Sequence, residues 1–68
     1  MGVDGGESGF LEALGRARAE FMEMPGLQLT ARQAARLWAC DQALCEAVLS
    51  ALVEARFLVR HRESFARA

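Results

Sequence analysis

Lysine is missing from this sequence altogether, and all eight of its basic residues are arginine. Arginine suits bidentate contact with phosphates, but an alanine-rich chain can owe the same preference to coding bias, so this absence leaves the partner open. No stretch approaches the roughly 18 uninterrupted apolar residues of a membrane span. The first nine residues, Met1 to Gly9, carry neither a basic region nor an apolar run, which is not the pattern of a signal peptide. A soluble cytoplasmic chain without membrane contact is therefore expected. Metal ligands are scarce: Cys40 and Cys45 stand five apart and the one histidine, His61, lies far along the chain. A zinc site wants four ligands in close pairs. There is also no glycine-rich phosphate loop, no cluster of histidines with acids, and no nucleophile with a base at helical spacing. These gaps remove the usual starting points for catalysis. No enzyme activity, cofactor, metal or small-molecule substrate is expected.

What remains is a single small domain. At 68 residues a chain buries only about 60% of its unfolded surface, so each core residue carries much of the stability. Apolar residues make up 53% of the sequence, but thirteen of them are alanine, which supplies helix propensity more than buried area. A mainly helical fold follows. Charge is uneven: residues 1–29 carry five acids against Arg16 and Arg18, whereas residues 30–68 carry six arginines against four acids.

Residues 1–7, rich in glycine, read as a flexible N-terminal tail, and residues 8–68 as the folded domain. A first helix is expected from about Ser8, its candidate N-cap, to Met24. Phe10, Leu14, Ala17, Phe21 and Met24 recur at steps of three and four on one face, with Leu11 and Met22 beside them. Pro25-Gly26 stops it. Leu27-Gln28-Leu29 alternates as a short strand would. Thr30-Ala31-Arg32-Gln33 is a capping box that starts a second helix at Ala31, with Ala34, Ala35, Leu37 and Trp38 inward and Arg32 and Arg36 outward. Asp41 is the next candidate N-cap, opening a third helix from Gln42 to about Ala55. Its core face reads Cys45, Val48, Leu49 and Leu52; its solvent face reads Ala43, Glu46, Ala47, Ser50 and Glu54. Phe57 to Arg60 is rich in strand formers. His61 to Ser64 reads as a turn, without the Asn-Gly or Asp-Gly signal of a firm hairpin, and Phe65 to Arg67 as the partner strand.

Helix, short strand, helix, tight corner, helix and two-stranded ribbon is the order of a winged helix-turn-helix. Residues 29–38, LTARQAARLW, resemble the opening of many bacterial helix-turn-helix units, in which paired alanines let two helices approach closely. Residues 49–60, LSALVEARFLVR, resemble the third helix and the start of the wing in winged-helix transcriptional regulators such as the multiple-antibiotic-resistance and arsenic-responsive groups. The resemblance covers residues 27–67. It implies a mainly α fold with a small β-wing, built as a three-helix winged helix-turn-helix. The chain departs from the pattern at Ala39 and Arg56, where those proteins often carry glycine, and in the shortness of its wing. It also implies that Cys40 fills an apolar turn position and Cys45 the inner face of the third helix. Both are then expected as free thiols packing like small hydrophobes, with a disulfide between them disfavoured.

Two functions follow from this architecture. In the first, the third helix lies in the major groove of double-stranded DNA. Gln42, Glu46 and Ser50 then face the bases, while Arg32, Arg36, Arg60, Arg62 and Arg67 hold phosphates, as in a small transcriptional regulator acting as a homodimer. The third helix has no basic residue before Arg56, which counts against sequence-specific reading. In the second, the domain binds a protein or a second copy of itself through Phe10, Leu11, Leu14, Phe21 and Met22, an apolar stripe broader than one small domain needs.

Overall fold

A computed structural model describes the backbone from Gly6 to Ala68 and side chains from Gly9 onward. Residues 1–5, most of the expected tail, lie outside the described residues. Helix α1 runs Gly6–Glu23, so it begins two residues before the expected N-cap Ser8, which sits inside it. The apolar stripe works as its spacing requires. Ala17 and Phe21 are fully buried, and Phe10, Ala13 and Leu14 pack half-buried against the same core. Met24 does not join them. The helix ends before it, and the Leu27 amide donates to the Met24 carbonyl across Pro25-Gly26 at 2.9 Å, so Met24 sits exposed at the turn.

Strand β1, Gln28–Thr30, leads directly into helix α2, Ala31–Leu37. Thr30 serves both. Its hydroxyl accepts from the Gln33 amide at 3.1 Å, and its own amide donates to Gln33 Oε1 at 2.9 Å, which completes the capping box. Only Ala34 of α2 is fully buried, with Trp38 one turn further on. Leu37 was expected inside and is 54% exposed. At 3.6 residues per turn, the side of a two-turn helix that buries Ala34 and Trp38 leaves Leu37 round the corner. Helix α3, Gln42–Glu54, begins where Asp41 predicts, although the Asp41 side chain makes no capping bond. Cys45, Val48, Leu49 and Leu52 form its buried face, as the spacing requires.

Both helix ends reverse in the same way. The Cys40 amide donates to the Ala35 carbonyl at 3.0 Å, and the Phe57 amide to the Leu52 carbonyl at 2.9 Å. These are the six-to-one bonds of a Schellman closure, which needs a left-handed residue just inside the bond. Ala39, with φ 53°, and Arg56, with φ 65°, fill those places. The two positions where glycine was missing from the sequence pattern are therefore two of the three non-glycine positions where the backbone adopts the conformation that favours it. Because Arg56 is exposed and pays the side-chain penalty of that conformation, Arg56→Gly is expected to stabilise the domain by about 1 kcal/mol. The check is the midpoint of urea unfolding; a lower midpoint contradicts the reading.

Strands β2, Leu58–His61, and β3, Ser64–Arg67, form a hairpin around Arg62-Glu63. Arg62 alone of the two turn residues has positive φ, at 63°, the sign pattern of a type II′ turn made without glycine. The sheet is larger than the two-stranded ribbon expected. Strand β1 pairs antiparallel with β3, giving the order β1-β3-β2 with Leu29 opposite Phe65 and Arg60 opposite Phe65 from the other side. The central strand β3 turns Phe65 into the core, where it joins Phe21, Trp38, Leu49, Leu52 and Leu58. The result is mainly helical, three helices and a small antiparallel sheet in a winged-helix-like arrangement. No described helix is long and apolar enough to cross a membrane.

Candidate nucleic-acid interface

The outer face of α3 and the wing enclose an open cleft of about 670 Å³. Its floor carries Gln42, Glu46 and Ser50, three positions at steps of four on α3. One wall is the start of α2, from Thr30 to Gln33, which brings in Arg32. The opposite wall is the hairpin, with Arg60, Glu63 and Phe65. Five of the eight residues that the sequence assigns to DNA thus meet in one place: Arg32, Gln42, Glu46, Ser50 and Arg60. Each of the five is exposed.

Local bonds involve three of them. Gln42 Nε2 donates to Glu46 Oε2 at 3.3 Å, one turn along the helix. Arg60 Nε donates to the Arg62 carbonyl at 3.0 Å, and its guanidinium carbon stands 5.5 Å from the centre of the Phe65 ring. The side chain is thereby held across the wing, and its remaining N–H groups have no hydrogen-bond partner among the described residues. Two arginines and two glutamates, Glu46 and Glu63, line the cleft, so its charge is balanced.

The other three candidates lie elsewhere. Arg36 is exposed in the last turn of α2 and Arg62 at the tip of the hairpin, both outside the cleft lining. Arg67 is directed to the opposite end of the wing. Its guanidinium carbon stands 4.4 Å from the centre of the Phe57 ring, with Arg18 of α1 at 5.5 Å on the same ring. Arg67 therefore belongs to the seam between α1 and the wing. Sequence reasoning missed Glu63, which lines the cleft because the hairpin turn folds it back over α3; the signal was the turn itself, whose two-residue length was not legible.

The apolar stripe divides in two. Phe21 is fully buried and offers no surface to a partner, a correction forced by the packing of α1 on α3. Phe10 and Leu14 are half-buried, while Leu11 and Met22 are 63% and 55% exposed. Trp38 is core, as expected, but its indole N–H is buried without a hydrogen-bond partner among the described residues. Both cysteines are free, Cys45 buried and Cys40 half-buried. Neither is in a disulfide, as expected, but their Sγ atoms lie only 2.7 Å apart.

No protein-family model, curated protein or solved structure matches the chain.

Proposed function

We propose that this is a small DNA-associated winged-helix module that holds the duplex chiefly by its phosphates. The cleft carries the reading, because it gathers five of the candidate residues between the exposed face of α3 and the wing. In such a domain the third helix enters the major groove while the preceding helix crosses the backbone. The side chains of Ala43, Ala47 and Ser50 on the exposed face are short, which favours close approach of α3 to the base edges. Gln42 is suited to adenine, and Glu46 accepts from the cytosine amino group. Glu46 and Glu63 repel phosphates inside the cleft, so backbone contacts fall to its rims: Arg32 and Arg36 on one side, Arg60 and Arg62 on the other. A cytoplasmic setting and a role in transcription belong to the same reading.

The test is binding of a fluorescent random-sequence duplex, read by anisotropy as salt is raised. With four phosphates neutralised, affinity is expected to fall by about two powers of ten between roughly 50 and 200 mM salt, and Arg32→Ala to reduce the log–log slope by about one. An absence of binding at about 50 mM salt defeats the proposal.

The exposure of Leu11 and Met22 favours a second reading, a dimerising or docking module without nucleic acid. Eleven residues are close to three helical turns, so both side chains leave α1 on the same side. The duplex titration at about 50 mM salt separates the two, since the first reading requires binding there and this one requires none.

A further inference from the structure

We infer that Cys40 and Cys45 are a redox-active dithiol, which a small-molecule disulfide converts into an intramolecular cystine stapling the corner after α2 to the first turns of α3. The two Sγ atoms lie 2.7 Å apart. That is inside the roughly 3.5–4.0 Å at which non-bonded heavy atoms ordinarily settle, and about 0.7 Å beyond the length of a disulfide bond. The backbone explains the closeness. The Schellman bond from the Cys40 amide to the Ala35 carbonyl folds residue 40 back against the core, and Cys45 faces inward from α3 beside Val48 and Leu49.

Access differs between the two thiols and sets the order of events. Cys45 is fully buried. Cys40 lines a shallow cavity of about 280 Å³ between α1 and the corner, shared with Trp38, Arg16 and Glu12. Burial, the contact with Cys40 and the charge of Asp41 push the Cys45 thiol up to about 12, so attack on the reagent starts at Cys40. The Cys40 thiolate attacks one sulfur of the external disulfide, forming a mixed disulfide and releasing one thiolate. Cys45 gives up its proton to solvent and attacks Cys40 Sγ, which forms the internal bond and expels the second thiolate. Two protein thiols are oxidised, one external disulfide is reduced to two thiols, and the two protons end on those leaving groups.

The test uses the whole chain with oxidised glutathione as the probe, followed by mass spectrometry, thiol titration in denaturant and a thermal melt. The expected product is a monomer about 2 Da lighter, with no titratable thiol and reversible with dithiothreitol. Closing this short loop raises its melting temperature by roughly 10 °C. Cys45→Ser is expected to stop at a glutathione adduct on Cys40, and Cys40→Ser to leave Cys45 unmodified. The proposal is overturned if the unsubstituted protein ends as a stable glutathione adduct, as a disulfide-linked dimer or with both thiols intact. An internal cystine that melts no higher than the dithiol form overturns the staple. All of these readouts are independent of DNA binding.

Discussion

Phe21→Ala is expected to unfold a large part of the population at 25 °C. Phe21 is fully buried and is the largest side chain to be so. It sits on the α1 face that packs on the core built by α3 and the sheet. Truncating a buried phenylalanine to alanine costs about 3–5 kcal/mol, the lost transfer energy plus that of the cavity left behind. A domain of this size has roughly 3–10 kcal/mol in total. The loss is therefore comparable with the whole stability, and the described residues form one core cluster, with no second to absorb it. Urea unfolding followed by far-ultraviolet circular dichroism measures the effect. Leu11→Ala, four tenths or less shielded on the same helix, is the control and should move the unfolding free energy by no more than about 0.5 kcal/mol. Equal effects of the two substitutions contradict the division of the α1 stripe into a buried and an exposed half.

That division marks where the sequence stops being informative. Periodicity put Ala17 and Phe21 on one face correctly, since a helix admits only one spacing. It could not say how much of that face the rest of the chain covers, which is a property of packing between elements. Met24 and Leu37 show the same limit at element ends, where a turn or a short helix carries an in-phase residue away from the core. Capping chemistry was legible at the start of α2, where Thr30 and Gln33 close the box that their types and spacing announce, but not at Ser8, which lies inside α1, or at Asp41, whose side chain makes no capping bond. The glycine positions were legible only through the family resemblance, which marked Ala39 and Arg56 as places where a side chain is unusual. The β2–β3 pairing was legible as a ribbon around a turn, but the pairing of β1 with β3 was not. Leu29 meets Phe65 across most of the domain, and no local signal encodes a contact between residues so far apart. The proximity of the two sulfurs was hidden for a related reason, because it depends on a backbone reversal at Ala39.

The cleft inherits this pattern. Gln42, Glu46 and Ser50 share it because steps of four on one helix place them together, which the sequence makes plain. Arg32 and Arg60 meet them only because β1 and β3 pair, so the position of the start of α2 relative to the wing rests on the long-range register of the sheet. Glu63 arrives with the hairpin turn and balances the charge. A count of arginines along the chain therefore overstates the basic character of the surface that faces α3.

Phe65 joins the core to this surface, and two substitutions there separate its roles. It is buried on the central strand, between Leu29 and Arg60 in register, and it also lines the cleft. Phe65→Ala removes the anchor that holds the wing against the helices, at a cost of about 3–5 kcal/mol, and is expected to melt the domain as a unit. Phe65→Leu keeps most of the buried volume and should cost less than about 1.5 kcal/mol. It abolishes the ring on which the Arg60 guanidinium rests at 5.5 Å, a contact worth about 0.5–1 kcal/mol at an exposed site. The leucine variant should thus remain folded while Arg60 loses its fixed position across the wing. If duplex binding depends on that position, the variant binds more weakly than the parent at low salt with its slope against salt almost unchanged, because the charge is still present. Unchanged affinity in a folded Phe65→Leu protein shows that binding does not depend on the ring beneath Arg60, and a fully stable Phe65→Ala protein would show that the wing is not anchored through this ring.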